Sequence, residues 1–508
     1  MAPQILPHKP ILHCPVTRLP PEILAHVLEL CIDRRDESMP VCFHAQRPSC
    51  FAQVCKLWKA VVESDPHLWT FIDLHFAHRS REDCEEDVSR AKFVIDLYLA
   101  RSGALPISLT FIDHRLYHDA TRDLISLLVD RLQTHSRRWK RILLDLPSDY
   151  FPQLCAFTPC DLSSLEHLYI SGDVLGGHLA APYLDLESAV NLKSFSYTGP
   201  GDSLDDTIDF QWERLAEVSF DFVPHDGIIS TLARRFRYLA RCQSLTTCSL
   251  GIEGAFSSGS DANQTIILPC LQTLRVRRLS PQSHACTVID VLVLPQLQTL
   301  EIDAVVYEDR EDWTPVWLNR NFSNLLTRSG CSLHHLSIQD VDFPNKELLR
   351  CLALSCTLKS FCFIPCPRSK DISDVIRKLD VFKTRTSTRP RRHGDDGQRK
   401  GPLVPALREI TLGTSEEEYL DAMLAMLRSR SGSRARAARV AALRHVEVVF
   451  FDIPSDDSRN TTGRLSRFQR ELVPWLFESG SWEKNESREE KLRSLRVGVV
   501  HSESYLEE

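Results

Sequence analysis

The chain has 508 residues, enough for about two to four domains or one long repeat array. Its 43% hydrophobic and 25% charged residues are ordinary for a globular protein, and its formal net charge of −7 is small for this length. These values argue against a chain that is basic throughout and coats nucleic acid, and against an acidic disordered chain. Only 19 glycines are present, which counts against an enzyme built on several glycine-rich phosphate loops.

The first residues and the cysteines indicate an intracellular protein. The start of the chain has no basic region followed by an apolar core, so no secretory signal is predicted. No apolar run approaches the ~20 residues of a membrane span. The 17 cysteines lie in apolar surroundings, and we expect reduced, mostly buried thiols. We therefore expect a cytoplasmic and/or nuclear location.

A compact helical domain is predicted over residues 15–74, after a flexible start at 1–14. Pro21 suits the first turn of a helix and Glu22 suits its positive end, and apolar residues continue from there in a wide stripe to Ile32. The proline-rich residues 33–49 are expected to form a loop. A second helix is predicted over 51–64, and residues 67–74 could enter a strand. The inner face of the second helix is expected to consist of Phe51, Val54, Cys55, Trp58, Val61 and Val62.

This domain holds more large apolar side chains than it can bury alone. A segment of about 60 residues has a marginal core. One narrow seam cannot bury four further large apolar side chains, those of Leu57, Trp58, Leu68 and Trp69. The surplus predicts a second apolar surface, packed against the rest of the chain or against another protein.

Three pieces of this domain carry a family resemblance. The sequences Leu19-Pro20-Pro21-Glu22-Ile23, Val54-Cys55-Lys56-Leu57-Trp58 and Leu68-Trp69 occur in the order of the F-box pattern, and the segment resembles an F-box. The resemblance implies a three-helix domain that binds a Skp-type adaptor and, through it, the cullin of an SCF ubiquitin ligase. We expect the Trp58 ring to lie in the core, while Leu19, Pro20, Leu24, Leu28 and Leu57 face the adaptor. The full set of adaptor-binding residues that the resemblance implies is Leu19, Pro20, Glu22, Ile23, Leu24, Val27, Leu28, Val54, Cys55, Leu57, Trp58, Leu68 and Trp69.

A connecting segment is predicted over residues 75–104. A helix is expected over 88–101, with Phe93, Leu97 and Ala100 on its inner stripe and Gly103 at its C-terminal cap. Residues 105–111 are then expected to form the first strand of the array that follows.

A short phrase recurs along the rest of the chain: apolar, two variable residues, apolar, one variable residue, apolar. Most of the early phrases begin about 26 residues apart, inside the ~20–29 residue period of leucine-rich repeats. Each phrase is predicted to form one strand, and stacked neighbours would build a continuous core. The phrases begin at Trp139, Leu165, Leu192, Leu215, Leu245, Leu271, Leu297, Leu333, Leu358, Leu407, Leu443 and Leu492.

The repeats resemble leucine-rich repeats, although nearly all lack the Asn or Cys that usually follows the strand. The predicted fold class is therefore α/β: a small N-terminal helical F-box followed by an irregular leucine-rich-repeat solenoid with parallel strands over 105–500, and a flexible end at 501–508. The fifth residue of each phrase should point away from the core on the concave side, where solenoids bind large ligands. The expected target-binding ridge is Tyr169, Ser196, Ser219, Ser249, Arg275, Glu301, Ser337, Thr411, Glu447 and Arg496, and the same position holds Leu143 and Cys362.

Two insertions in the repeat region are predicted to be disordered, 383–401 and 428–439. Both are rich in arginine, but neither interleaves the aromatic residues on which nucleic-acid bases stack. Cys351 with Cys356 and Cys362 with Cys366 have the spacing of zinc knuckles, although packing thiols are the favoured interpretation. No nucleotide-binding, nucleophile-elbow or metalloprotease motif is present, so we expect no catalysis, no cofactor and no metal.

Taken together, the resemblances to an F-box and to leucine-rich repeats imply the substrate-recognition subunit of a cullin-type ubiquitin ligase. The helical end would bind a Skp-type adaptor, and the repeats would bind a target protein whose identity the sequence leaves open. Two alternatives remain at this stage. One is a repeat scaffold that binds proteins without any ligase, and the other is a nucleic-acid-binding regulator that uses the arginine-rich insertions.

Overall fold

A computed structural model describes the chain over the ranges 19–33, 47–76, 81–113, 131, 134–147, 161–173, 184–200, 208–209, 211–223, 238–252, 265–277, 289–304, 321–341, 343–365, 373–380, 403–414, 420–430, 435, 438, 440–451 and 495–500. Within these ranges the protein is α/β with a large parallel sheet. None of the helices described is both long and apolar enough to cross a bilayer.

The helices are concentrated at the N-terminal end and between the later strands. Short 3-10 turns at Pro66–Trp69, Ser136–Arg138 and Trp212–Arg214 lead into strands. The α-helices are Pro21–Asp33 (α1), Arg47–Ala52 (α2), Lys56–Ser64 (α3), Arg81–Arg101 (α4), Asn321–Ser329 (α5), Asn345–Leu354 (α6), Ser373–Leu379 (α7) and Leu420–Ser429 (α8).

The strands are short and recur along the whole chain. They are Phe71–Phe76 (β1), Ile107–Asp113 (β2), Trp139–Pro147 (β3), His167–Asp173 (β4), Leu184–Asp185 (β5), Ser194–Pro200 (β6), Ile208–Asp209 (β7), Glu217–Val223 (β8), Thr247–Ile252 (β9), Ile266–Ile267 (β10), Thr273–Arg277 (β11), Leu292–Val293 (β12), Thr299–Asp303 (β13), His335–Gln339 (β14), Ser360–Ile364 (β15), Glu409–Thr414 (β16), His445–Phe451 (β17) and Leu495–Val500 (β18).

The chain divides into two compact units. The first comprises residues 1–192 with 206–210, and the second comprises 193–205 with 211–508. In the first unit, β1 to β4 pair in parallel in chain order. In the second unit, ten strands pair in parallel in the order β6, β8, β9, β11, β13, β14, β15, β16, β17 and β18. The pairs β5–β7 and β10–β12 form two small separate sheets.

The repeated phrase is confirmed as the repeating strand. Each of the twelve predicted phrases contributes one strand to the parallel pairing. Wherever the side chain is described, the first, fourth and sixth positions are buried, as in Leu271, Leu274 and Val276, each 0% exposed. Burial of these three positions in successive strands builds the apolar core of each unit, which is the main stabilising contribution of the array.

In the second unit, the second position of a phrase joins neighbouring strands through its carbonyl group. The carbonyl of Gln272, for example, accepts hydrogen bonds from the backbone N–H groups of both Gln298 and Thr299, each at 2.9 Å. The same double acceptance recurs at Lys193, Ala216, Thr246, Gln298, His334, Lys359 and Arg408. Corresponding residues of consecutive repeats are thereby held side by side, about 4.8 Å apart.

The array begins one strand earlier than predicted. The strand entered after residue 67 is β1, and it pairs with β2 over its whole length. Residues 105–111, expected as the first strand, therefore hold the second. The helical end of the chain runs directly into the first strand of the sheet.

The connecting helix α4 buries a different face from the predicted one. Phe93 is 66% exposed, Ala100 is exposed and Leu97 is half-buried, so the expected inner stripe is wrong. The buried residues are Ala91, Val94, Ile95, Tyr98 and Leu99. Tyr98 packs edge-to-face on Trp69, with ring centroids 5.1 Å apart. Helix α4 has apolar residues on two neighbouring faces, and the face that contains Tyr98 is the buried one. Gly103, with a φ of 58°, follows the helix in the left-handed region as the cap prediction required.

The prediction that residues 428–439 form a disordered insertion is wrong for the described part of that range, where Ala435 and Ala438 are buried. The last turn of α8 contains Arg428 and Ser429, and the Arg430 side chain is fully buried. Its guanidinium donates hydrogen bonds to the carbonyls of Leu379 at 3.0 Å, Val404 at 3.1 Å and Leu403 at 2.5 Å. Burial lowers the pKa of Arg430 to about 10, which leaves it charged at neutral pH. Arg430 is a structural residue rather than part of a disordered loop. The insertion at 383–401 lies outside the described residues.

Candidate functional site

Helix α1 carries two neighbouring apolar stripes. Its inward stripe is Leu24, Leu28 and Ile32, which are 0%, 1% and 8% exposed and recur every fourth residue. Its outward stripe is Ile23, Val27 and Leu30, which are 50%, 41% and 47% exposed. The next residue, Cys31, is also exposed. The helix therefore presents an apolar face to solvent, although it already buries another.

The structure corrects which α1 residues can meet a partner. Leu24 and Leu28 were expected to face the adaptor, but both lie in the core, so they stabilise the helical segment instead. Ile23 and Val27 lie on the accessible stripe, whereas Leu30 was not anticipated. Leu30 lies seven residues after Ile23, a spacing that returns to the same helix face after two turns, and this could have identified it.

The predicted second helix is two helices. The loop expected over 33–49 ends earlier, because α2 begins at Arg47, and the chain turns between Ala52 and Lys56. Val54 lies in that turn and is 60% exposed, while Cys55 caps the start of α3 and is half-buried. The expectation that Val54 and Cys55 line the inner face is therefore wrong. The break reorients the helix before the buried Val61 and Val62.

Trp58 occupies the boundary between core and surface. Its ring packs edge-to-face on Phe51 with centroids 6.1 Å apart, and the residue is half-buried rather than fully enclosed. Leu57 and Leu19 are half-buried as well, while Pro20 and Glu22 are exposed. These five residues remain available, in whole or in part, to a partner.

Leu68 and Trp69 belong to the core. They are 1% and 4% exposed, so neither side chain is accessible to a partner in this structure. The Trp69 indole N–H donates a hydrogen bond to the Val62 carbonyl at 2.8 Å, which satisfies its polar atom away from water. The Arg101 guanidinium lies 5.6 Å from the centroid of the Trp69 ring. Their role is to join α3, α4 and β1.

The predicted ridge is one continuous row in the second unit. Its members pair directly, strand by strand, from Ser196 on β6 to Arg496 on β18. In the first unit, Tyr169 pairs with Leu143 at the same position. Every ridge residue with a described side chain is half-buried except Ser337, which is buried. The side chain of Arg496 lies outside the described part.

Polar contacts run across neighbouring strands of the ridge. The Arg275 Nε donates to the Glu301 carboxylate at 2.7 Å, and the Thr411 hydroxyl donates to Glu447 at 3.2 Å. The ion pair balances the charges of Arg275 and Glu301, and the Thr411 contact leaves Glu447 as a hydrogen-bonded carboxylate on a polar face. Burial raises the pKa of the Cys362 thiol to about 11, so it is not a reactive thiolate at neutral pH.

Two aspartates, Asp303 and Asp340, lie beside the ridge where β13 and β14 end. Partial desolvation raises the pKa of Asp303, although the residue is exposed, and Arg277 opposes this shift. Burial, together with the charge of Asp303, raises the pKa of Asp340 to about 7. The backbone of Asp340 has a φ of 56°, and its N–H donates to the Ile364 carbonyl at 2.8 Å. This turn therefore holds a carboxyl group that is largely protonated below neutral pH.

The cysteines are thiols with mixed exposure, and the prediction of mostly buried thiols is wrong for those described. Only Cys242, Cys248 and Cys351 are buried, while Cys31, Cys50 and Cys356 are exposed and the other four are intermediate. Burial raises the pKa of Cys351, and Glu347 adds to the shift. Across the described ranges no group of three or more His, Cys, Asp or Glu side chains is arranged to hold a metal ion. Cys366, one member of the second candidate knuckle, lies outside those ranges.

Comparison with known proteins adds no relative. No family model matches the chain, and no curated protein matches it.

Proposed function

We propose that this chain is the substrate-recognition subunit of an SCF ubiquitin ligase. The observation that carries the proposal is the outward stripe of Ile23, Val27 and Leu30, an apolar face that the chain itself leaves 41–50% exposed. It lies on the helix that begins with the Leu-Pro-Pro-Glu-Ile phrase of the F-box-like segment. An apolar stripe of three residues over two helical turns is suited to a helix-packing partner such as a Skp-type adaptor.

The second surface in the proposal is the ridge, with the second unit acting as an irregular leucine-rich-repeat solenoid. Ten consecutive strands place their fifth residues in one row, and such a row offers many polar contacts to a bound protein. Its half-buried serines, threonine and ion pair are suited to an extended polar segment more than to a small apolar ligand.

The mechanism would be proximity rather than bond chemistry by this chain. The α1 stripe would bind the adaptor, and the ridge would hold a target protein. Ubiquitin transfer would then occur on other subunits at raised effective concentration of the target. Loss of either surface would abolish transfer without altering any catalytic group.

The two alternatives are less well supported. A scaffold without a ligase would not need the outward stripe on α1. A nucleic-acid-binding regulator would need the arginines of the second insertion, yet the Arg430 guanidinium is buried against three carbonyl groups. The ligase interpretation accounts for both surfaces.

Co-purification of the full chain with a Skp-type adaptor tests the proposal. The wild-type chain should elute with the adaptor from a sizing column, and an Ile23→Asp/Val27→Asp variant should elute alone. Phe93→Asp is the matched control, because Phe93 is a more exposed apolar residue on another helix of the same unit. A wild-type chain that does not retain the adaptor, or a stripe variant that retains it fully, would refute the proposal.

A further inference from the structure

The row at the second position of the phrases is unevenly charged. From Ala216 onward it is neutral through Thr246, Gln272 and Gln298. After His334, the next three consecutive positions are Lys359, Arg408 and Arg444. All three residues are exposed. Positive charge is thus collected where β15, β16 and β17 begin.

The backbone holds these three residues side by side. The Arg408 N–H donates to the Lys359 carbonyl at 2.8 Å, and the Arg444 N–H donates to the Arg408 carbonyl at 2.6 Å. Neighbouring parallel strands are about 4.8 Å apart, so three cationic side chains leave the sheet edge at that spacing. Like charges placed directly opposite each other across strands are destabilising by themselves. In the described part of the chain, the Lys359 and Arg408 side chains form no hydrogen bond or ion pair that offsets this repulsion.

We propose that Lys359, Arg408 and Arg444 form a cationic rim that binds an acidic, Asp- and Glu-rich segment of a partner protein. The rim presents its cations in single file, one per strand, which suits successive carboxylates rather than one dianionic phosphate gripped by converging cations. The segment would cross the starts of β15 to β17. The inference rests on the proposed function in one respect, since it takes the segment to belong to the target that the ridge holds.

The neighbouring positions favour a peptide over a nucleic acid. Glu409 directly follows Arg408 of the rim and is exposed. Glu447 lies on the ridge, three residues after Arg444 of the rim. Between the rim and the ridge, the outward positions of β14 to β17 carry no Phe, Tyr or Trp on which bases could stack; they are His335, Ser337, Ser360, Cys362, Glu409, Thr411, His445 and Glu447. A nucleic-acid strand would bring a phosphate at every step toward these carboxylates. A peptide can place acidic residues on the rim and neutral or basic residues over Glu409 and Glu447.

Fluorescence anisotropy with the full chain tests the rim directly. The probe is a fluorescein-labelled peptide of alternating Glu and Ser, and the comparison probes alternate Gln with Ser, alternate Gln with phosphoserine, or are single-stranded oligothymidine of matched length. We expect the Glu probe to bind in a salt-sensitive manner. A Lys359→Gln/Arg408→Gln/Arg444→Gln variant should lose about tenfold in affinity, in line with three exposed charge pairs.

Two further variants separate the rim from general effects. Lys193→Gln removes an exposed cation from the same position of a distant repeat and should leave affinity unchanged. Lys359→Arg/Arg408→Lys/Arg444→Lys keeps the charge and should retain binding, which shows that the sheet edge remains folded. Equal binding by the triple Gln variant, an equal loss in Lys193→Gln, or tighter binding of the phosphoserine or thymidine probe would overturn the proposal. Failure of the wild-type chain to bind the Glu probe would overturn it too.

The test is independent of adaptor binding. A chain that binds the Glu probe through the rim but does not retain the adaptor would contradict the proposed ligase function and support the rim. A chain that retains the adaptor but does not bind the Glu probe would support the proposed ligase function and contradict the rim.

Discussion

The helical segment and the strand array differ in how strictly the sequence decides which side chains are buried. In a strand, successive side chains point to opposite faces, so an apolar residue at the fourth position and a polar one at the fifth admit one orientation. In α1, two apolar stripes lie next to each other, and a modest rotation of the helix exchanges their roles. Leu24 is 0% exposed and Ile23 is 50% exposed, although they are neighbours in sequence.

This difference has a functional meaning. The array buries the first, fourth and sixth positions of its described phrases and leaves a polar row outside, with only separate apolar residues exposed in its described part, such as Ile267 and Leu354. The helical segment instead has an apolar stripe left over after its own core is complete. Exposure of such an apolar surface to water costs free energy, and a bound partner would remove that cost.

The largest expected effect concerns Arg430, a buried residue in a stretch whose arginine-rich composition predicted disorder. Arg430→Met should lower the free energy of unfolding by about 3 kcal/mol or more, because three carbonyl groups lose their buried donor. Chemical denaturation monitored by circular dichroism measures it. Arg428→Met, two residues earlier at an exposed position, is the control and should change little. Equal stability of the two variants would show that Arg430 is not in the core.

A second prediction compares the two stripes of α1. Leu24→Ala should cost about 2–4 kcal/mol of stability, since it empties a filled site in the core. Leu30→Ala should change stability by less than about 0.5 kcal/mol, because its side chain is half exposed. Thermal unfolding of the full chain with the two variants side by side measures this difference. Similar losses in both would mean that the inward and outward assignments are wrong.

A third prediction concerns the pH dependence of stability that arises from Asp340, the residue after β14. Because the pKa of Asp340 is raised to about 7 in the folded state, the unfolded chain releases this proton first as the pH rises from about 4 to 7. The contribution of Asp340 to stability is therefore present below pH ~4 and is lost as the pH rises through its folded pKa. Asp340→Asn should flatten that part of the profile and add on the order of 1–2 kcal/mol at neutral pH.

The control for this prediction lies in the neighbouring carboxyl group. Asp303→Asn removes the charge that raises the pKa of Asp340, so it should weaken the same pH dependence only partly. Asn also tolerates the left-handed backbone at position 340, so the substitution adds no strain there. An unchanged stability profile in Asp340→Asn would contradict a raised pKa for this half-buried carboxyl group.

The strands and the ridge were predictable because their evidence is periodic. The phrase from Leu271 to Val276, repeated along the chain, determined both the core positions and the row that pairs across ten strands. The helical segment was predictable only in its existence. The break at Val54 depends on how α2 and α3 pack, and the burial of Trp69 depends on Tyr98, a residue far along the chain. Arg430 could not be found from local composition, because its carbonyl partners come from two other segments.

The central claim is that the outward stripe of α1 is the surface that meets the adaptor, and the exposed thiol of Cys31 reports on that face. The alkylation rate of Cys31 should be measured by mass spectrometry, with and without a Skp-type adaptor, and with exposed Cys356 of the second unit as internal control. We predict that complex formation lowers the alkylation rate of Cys31 by about tenfold or more and leaves that of Cys356 unchanged, because thiol reactivity depends on access. A stable complex in which Cys31 reacts at its original rate would contradict the claim.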